Sequence, residues 1–227
     1  CLVGSEMCIR DSFNTVEPAI TTVGEHLADL TSQLEKNYTD PLEQQGELWA
    51  IAAMDLKTQA YSTVNAEQSM QSASVIKAFI MAAVYDKLIY PDEGTTVSSD
   101  YESTLKPLLT SMITVSDNES CNELVKLQTD SLDFKKGAED INKYLEKEGY
   151  TETSVQHTLH PAASAQESLG GRNMTSVKDC GTLLEKIYKG ECVSKEASEE
   201  MLNLLSNQEN TWKIPQGLPD GIKSANK

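Results

Sequence analysis

No stretch of the 227-residue chain approaches the roughly 20 consecutive apolar residues that a membrane-spanning helix requires, so nothing in it reads as an integral membrane segment. Gly-x-Ser-x-Gly is missing as well, which disfavours a Ser-His-Asp hydrolase built on a nucleophile elbow. Of the 3 histidines none stands in His-Glu-x-x-His, and His157 and His160 form a bare His-Thr-Leu-His pair. No Cys-x-x-Cys occurs either. These absences argue against a metal enzyme and call for no cofactor. Positive charge is scarce, with 19 Lys and Arg against 35 Asp and Glu for a net −16. Such a balance repels phosphate backbones and excludes nucleic acid as a partner. Repeats and low-complexity tracts are lacking, and 39% hydrophobic with 24% charged residues suits a globular chain rather than a disordered one. The length allows one domain of two lobes.

The first twelve residues, "CLVGSEMCIRDS", differ in character from the remainder of the chain and do not begin with Met. They resemble translated sequencing-adapter sequence. Residues 1–12 are therefore set apart as a non-native leader, with Cys1 and Cys8, and a single domain is read over 13–227. Cys121, Cys180 and Cys192 remain, an odd number without metal-ligand spacing. They are either buried free thiols or one disulfide and one free thiol.

From Val16 to Tyr38 the apolar positions Ile20, Val23, Leu27, Leu30 and Leu34 recur every three or four residues, which predicts an amphipathic helix. "ELWAIAAMDLKTQAYSTVN" reads as two strands joined at Asp55 to Gln59, a hairpin. The apolar run from Val75 to Tyr90 is long enough to favour helix. In "LKPLLTSMITVSDNESCNELVKL" two helices meet at Ser116 to Asn118, and Ser116 and Glu119 have capping-box spacing. Further helices are expected at 136–148, 177–189 and 195–206, with Ser176 and Ser194 as N-caps. Residues 151–175 show little periodicity and hold His157 and His160, a long irregular loop of the kind that often carries function.

"SASVIKAFIMAAV", residues 72–84, poses the main question, because Lys77 is a charge inside a segment that otherwise reads as buried on every side. A buried lysine costs several kcal/mol unless it is paired, hydrogen-bonded or neutralised by a lowered pKa. Ser74 lies three residues earlier on the same helical face, close enough to meet it. A lysine that holds its proton weakly can take one from an adjacent hydroxyl and activate it as a nucleophile. The plainer alternative is a Lys77 that snorkels to the surface and a Ser74 that only caps the helix. Ser-x-x-Lys alone carries almost no information, whereas Ser116-Asp117-Asn118 downstream of it carries much more.

The ordered set Ser74-x-x-Lys77, Ser116-Asp117-Asn118 and Lys227, read as the opening of a Lys-Thr-Gly strand, resembles the serine penicillin-recognising enzymes, in particular class A β-lactamases. "MITVSDNESCNELV", "NMTSVKDCGTLLEKIY" and "GLPDGIKSANK" resemble that family's helix-SDN-helix passage, the close of its omega loop and the approach to its third motif. The resemblance implies a β-lactamase/transpeptidase-like α/β (α+β) fold. An antiparallel sheet flanked by helices would include the helix and hairpin of 16–64, beside a mostly helical lobe over about 74–206. It further implies that Ser74 is the nucleophile, that Lys77 takes or relays its proton, and that Ser116 protonates the departing nitrogen. Asn118 would orient Lys77 and hold the substrate amide, and Lys227 would attract the substrate carboxylate. The substrate class implied is a β-lactam or a D-alanyl peptide, the setting extracytoplasmic, and the protein a monomer.

Two departures from the family pattern carry expectations of their own. The interval from Ser74 to Ser116 is short, so the helical lobe should be trimmed. The omega loop lacks Glu-x-x-Leu-Asn: in "QESLG" Gln166 stands where the deacylating glutamate would be and Gly170 where the asparagine would be. Glu167, His157 and His160 are substitutes in principle, although each also reads as a solvated loop residue. The family's last strands come after its third motif, so the C-terminal strands are expected to be missing, and the chain to be a poorly stable, inactive fragment by itself. A penicillin-binding D-Ala-D-Ala peptidase shares all three motifs and needs no omega-loop glutamate, and would hold a stable adduct. A non-catalytic binding module of the same fold would keep its ligand affinity in Ser74→Ala.

Overall fold

At the centre of the computed structural model, which describes residues 2–3, 16–91, 97–159, 166–212 and 214–227, runs the helix Ile76–Val84 (α3). Every residue of it is buried. Its apolar character on all sides is what allows helices to surround it. α4 (Lys106–Thr114), α5 (Asn118–Lys126) and α6 (Phe134–Lys147) pack directly on it. α7 (Val177–Lys189) and α8 (Lys195–Ser206) close the helical lobe. Phe79, Met81, Val84, Met112, Ile113 and Leu124 lie at 0% exposure in its shared core. α5 and α6 cross so closely that a Cβ on Gly137 would stand 1.9 Å from the Val125 carbonyl oxygen. Only glycine fits that crossing.

The second lobe holds α1 (Val16–Leu34), the short α2 (Asp40–Glu43), and the hairpin of β2 (Ile51–Asp55) and β3 (Ala60–Val64), paired antiparallel from Ile51 opposite Val64 to Asp55 opposite Ala60. The turn is fixed by the Asp55 carboxylate, which accepts from the Thr58 N–H at 2.6 Å and the Thr58 hydroxyl at 2.7 Å. α1 lies on the hairpin, where the Thr31 and Ser62 hydroxyls meet at 2.6 Å. Two further antiparallel pairs complete the described strands: β4 (Met70–Gln71) with β5 (Met174–Thr175), and β1 (Leu2–Val3) with β6 (Ser224–Ala225). The fold is mixed α and β, as the resemblance implied, and the rest of the leader lies outside the described residues.

α7 and α8 begin and end where the sequence predicts, with the Ser176 and Ser194 hydroxyls accepting from the N–H groups of Asp179 and Ala197. α6 starts two residues early, capped by Asp133. The start of α5 differs in kind. Asp117, not Ser116, is its N-cap, accepting from the Ser120 N–H at 2.6 Å. That displacement leaves Ser116 outside the helix with φ +62°. The three cysteines of the domain are free thiols, Cys121 and Cys192 buried and Cys180 half-buried.

Within the passage 151–175, residues 155–159 are held by three asparagines that imitate a strand partner. Asn142 binds both the N–H and the carbonyl of Val155, at 2.8 and 2.9 Å. Asn122 on α5 does the same to Leu159, at 2.9 and 3.3 Å. Asn173 gathers the N–H groups of Gln156 and His157 and the His157 carbonyl. Amide side chains offer a donor and an acceptor side by side, so each satisfies backbone groups that no strand partner takes.

Candidate functional site

Ser74 sits in a 3-10 turn, Ala73–Val75, that leads into α3, and Lys77 is in the first turn of the helix itself. Lys77 is 0% exposed. It does not snorkel. Its Nζ lies 3.4 Å from the Ser74 hydroxyl and reaches across to the α4–α5 corner. There it meets the Ser116 carbonyl at 2.5 Å, the Ser116 hydroxyl at 3.1 Å and the Asn118 Oδ1 at 2.7 Å. Three residues thus converge on one amine, Ser74 from one turn away and Ser116 and Asn118 from about forty positions along the chain.

Backbone geometry around the amine is unusual on both sides. Ala73 has φ +45° and Ser116 φ +62°, a left-handed conformation that costs a non-glycine residue of order 1–3 kcal/mol. Such strain persists only where surroundings over-determine it. Ser116 is pinned by the Lys77 amine on its carbonyl, and its neighbour Asp117 donates its N–H to the Ser111 carbonyl at 3.1 Å.

Burial pushes the Lys77 pKa below the ordinary lysine range, while the nearby Cys121 thiol and Asp117 carboxylate pull it partly back. Asp117 itself is held low, chiefly by the Ser120 N–H. Cys121, one turn after Asn118, is pushed up to about 12 by burial. The sequence read it only as a candidate buried thiol, and nothing local marks it as a neighbour of two lysines.

Lys227 reaches the same corner from the C-terminal end of the chain. Its Nζ donates to the carbonyls of Met112 and Ile113, both at 2.9 Å, near the C-terminal end of α4. Burial, and then the charge of Lys77, press its pKa down to about 7. The Ile113 carbonyl also accepts from Gln208 Nε2 at 2.7 Å. Gln208 was not singled out in the sequence, where it is one polar residue in the polar run "SNQEN".

The Glu167 carboxylate pairs with the Lys126 ammonium at 3.9 Å, a lysine two helical turns beyond Asn118 on α5. The Glu167 N–H and carbonyl are engaged with Thr158. His157 turns its Nδ1 to the Thr158 carbonyl at 2.6 Å. His160 lies outside the described residues. Gln166 and Gly170 are exposed. Among the described residues no cluster of His, Cys, Asp or Glu suited to a metal ion is found, and no helix is long and apolar enough to cross a membrane.

The family model described as "Beta-lactamase enzyme family" matches residues 33–227. The chain belongs to that family. Solved structures with the same fold include a β-lactamase from Sphaerobacter thermophilus, 19% identical with a TM-score of 0.60, over 76% of this chain and 68% of that one. An ancestral class A β-lactamase is 20% identical with a TM-score of 0.62, over 86% of this chain and 76% of that one. A β-lactamase from Chitinophaga pinensis is 18% identical with a TM-score of 0.60, over 92% and 75%. At such identities the likeness is one of fold. No curated protein matches the chain.

Proposed function

We propose that this β-lactamase family member is a serine hydrolase that opens β-lactam rings through an acyl-enzyme on Ser74. The observation that carries the reading is the environment of the Lys77 amine. A neutral amine has two N–H groups and one lone pair. Two carbonyl-type oxygens, Ser116 O at 2.5 Å and Asn118 Oδ1 at 2.7 Å, are there to take the N–H groups. The remaining contacts are the hydroxyls of Ser74 and Ser116, either of which can donate to the lone pair.

In the step we assign, the Ser74 oxygen bonds to the lactam carbonyl carbon while its proton passes to Lys77. The proton then reaches the lactam nitrogen through the Ser116 hydroxyl as the C–N bond breaks, so that nothing is gained or lost. The Ser74 N–H, in the 3-10 turn that leads into α3, serves as one oxyanion donor. Asn118 holds Lys77 in place and offers its amide to the substrate, and Lys227 supplies positive potential for a substrate carboxylate. Substrates of this class are met outside the cytoplasm, where we place the protein, acting as a monomer.

A second reading is favoured by Glu167 being tied to Lys126. Without a base near the ester, hydrolysis of the acyl-enzyme slows, and the protein behaves as a penicillin-binding D-alanyl peptidase. Intact-mass spectrometry over time with benzylpenicillin tests both readings, beside Ser74→Ala. It is run on the chain and on a version extended past Lys227 by the strand that comes after the third motif in the family. A Ser74-dependent adduct that clears supports the hydrolase, and one that persists supports the peptidase. Absence of an adduct from both proteins refutes the assignment of Ser74.

A further inference from the structure

Gln208 stands just beyond α8, 8% exposed, with both ends of its amide engaged. Its Oε1 accepts the Asn210 N–H at 3.0 Å, which fixes the orientation of the group. Its Nε2 must then face the Ile113 carbonyl, to which it donates at 2.7 Å. That carbonyl is one of the two on which the Lys227 ammonium rests. The same corner also holds the backbone beside Lys227, since the Asn226 N–H donates to the Leu205 carbonyl at 3.1 Å. The Glu209 N–H takes the next α4 carbonyl, that of Thr114, at 2.9 Å. The segment 205–210 therefore grips Lys227 by both ends, through its neighbour's backbone and through the oxygen its side chain uses.

We propose that Gln208 is a positioning residue for Lys227: it fixes where the ammonium docks and, by sharing the Ile113 carbonyl, limits the negative potential that oxygen offers. A carbonyl oxygen has two lone pairs, and a neutral donor on one of them lowers what remains for a cation on the other. The groups that bear on the lysine are few. Lys77 on α3 disfavours its charge and Cys121 on α5 favours it weakly. Asp117, at the cap of α5, acts on Lys77 and Cys121. Burial and Lys77 already disfavour the Lys227 charge, so the strength of the Ile113 carbonyl as an acceptor bears on whether the amine keeps its proton. The inference rests on Lys227 belonging to the acyl-transfer site, but its test does not require turnover.

The experiment is a pH titration of lysine side chains by NMR, with 13C-labelled lysine and the Lys227 resonance assigned from Lys227→Arg. The wild-type chain is compared with Gln208→Leu and Gln208→Glu, each first checked for native circular dichroism. In Gln208→Leu the Ile113 carbonyl is left to the ammonium alone, and the Lys227 midpoint should rise by about half a unit or more. In Gln208→Glu it should rise further, because a carboxylate replaces a neutral amide. Lys77, which has its own partners, should move less than Lys227. A Lys227 midpoint unchanged in both folded variants overturns the proposal. Rising midpoints beside a protein that never acylates keep it and sink the reading of the site instead.

Discussion

Raising the pH from 7 to about 8.5 should stabilise this protein, and Lys227 provides the size of the effect. Its ammonium is moved from 10.5 to about 7 in the folded chain by burial and by the charge of Lys77. The unfolded chain therefore holds a proton that the folded chain has lost throughout the interval between those values. Stability rises with pH wherever the unfolded state binds more protons. Integrated from pH 7 to about 8.5, with the folded group half protonated at the start, the gain is about 1.6 kcal/mol. Lys77 is displaced in the same direction and adds to the gain. The carboxyls of Asp55, Asp117 and Asp140, all held low, are already ionised in both states and contribute no slope there. Cys121 and Cys192, pushed from 9.0 up to about 12 by burial, act oppositely as the unfolded thiols ionise, which caps the rise near pH 9. Urea unfolding followed by circular dichroism at several pH values gives the curve. In Lys227→Met the absolute stability can change for other reasons, so the comparison is of slopes, and the gain should shrink by about 1.6 kcal/mol. A flat or falling curve in the wild type, or an undiminished rise in the variant, would refute the claim that Lys227 is half-buried beside a like charge.

Two other substitutions probe the site and the packing that supports it. Lys77→Met removes the proton acceptor, and Ser74 acylation should slow by about 10²- to 10⁴-fold, read from the rate of adduct growth in intact-mass spectra; a loss under tenfold would mean that another group takes the proton. Gly137→Ala pushes a methyl into the Val125 carbonyl, at a cost of about 3 kcal/mol or more, and thermal unfolding should show a melting temperature lower by at least about 5 °C.

Much of the architecture was legible along the chain because its signals are short-range. Ser176 and Ser194 cap the helices that start beside them, and α7 ends at Lys189 because Gly190 adopts φ +77° and the next turn cannot continue. The hairpin comes from two strands about a short turn, and α3 from an apolar run too long for a strand. The three motifs were legible too, as residue types in order. Ser116 was the exception among the caps. Its spacing to Glu119 fits a capping box, yet Asp117 makes the cap. A hydroxyl cannot cap α5 while its residue turns left-handed to bring both its oxygens to Lys77.

What the sequence determined by itself was therefore the helices, the hairpin and the order of Ser74, Lys77, Ser116, Asn118 and Lys227. The tertiary structure alone decided that Lys77 is fully buried, that Glu167 faces Lys126 and that Lys227 rests on two carbonyls, one of which, that of Ile113, it shares with Gln208. Periodicity and capping act over three or four residues, whereas burial, and the pKa shifts that come with it, exist only once distant segments have closed around a group.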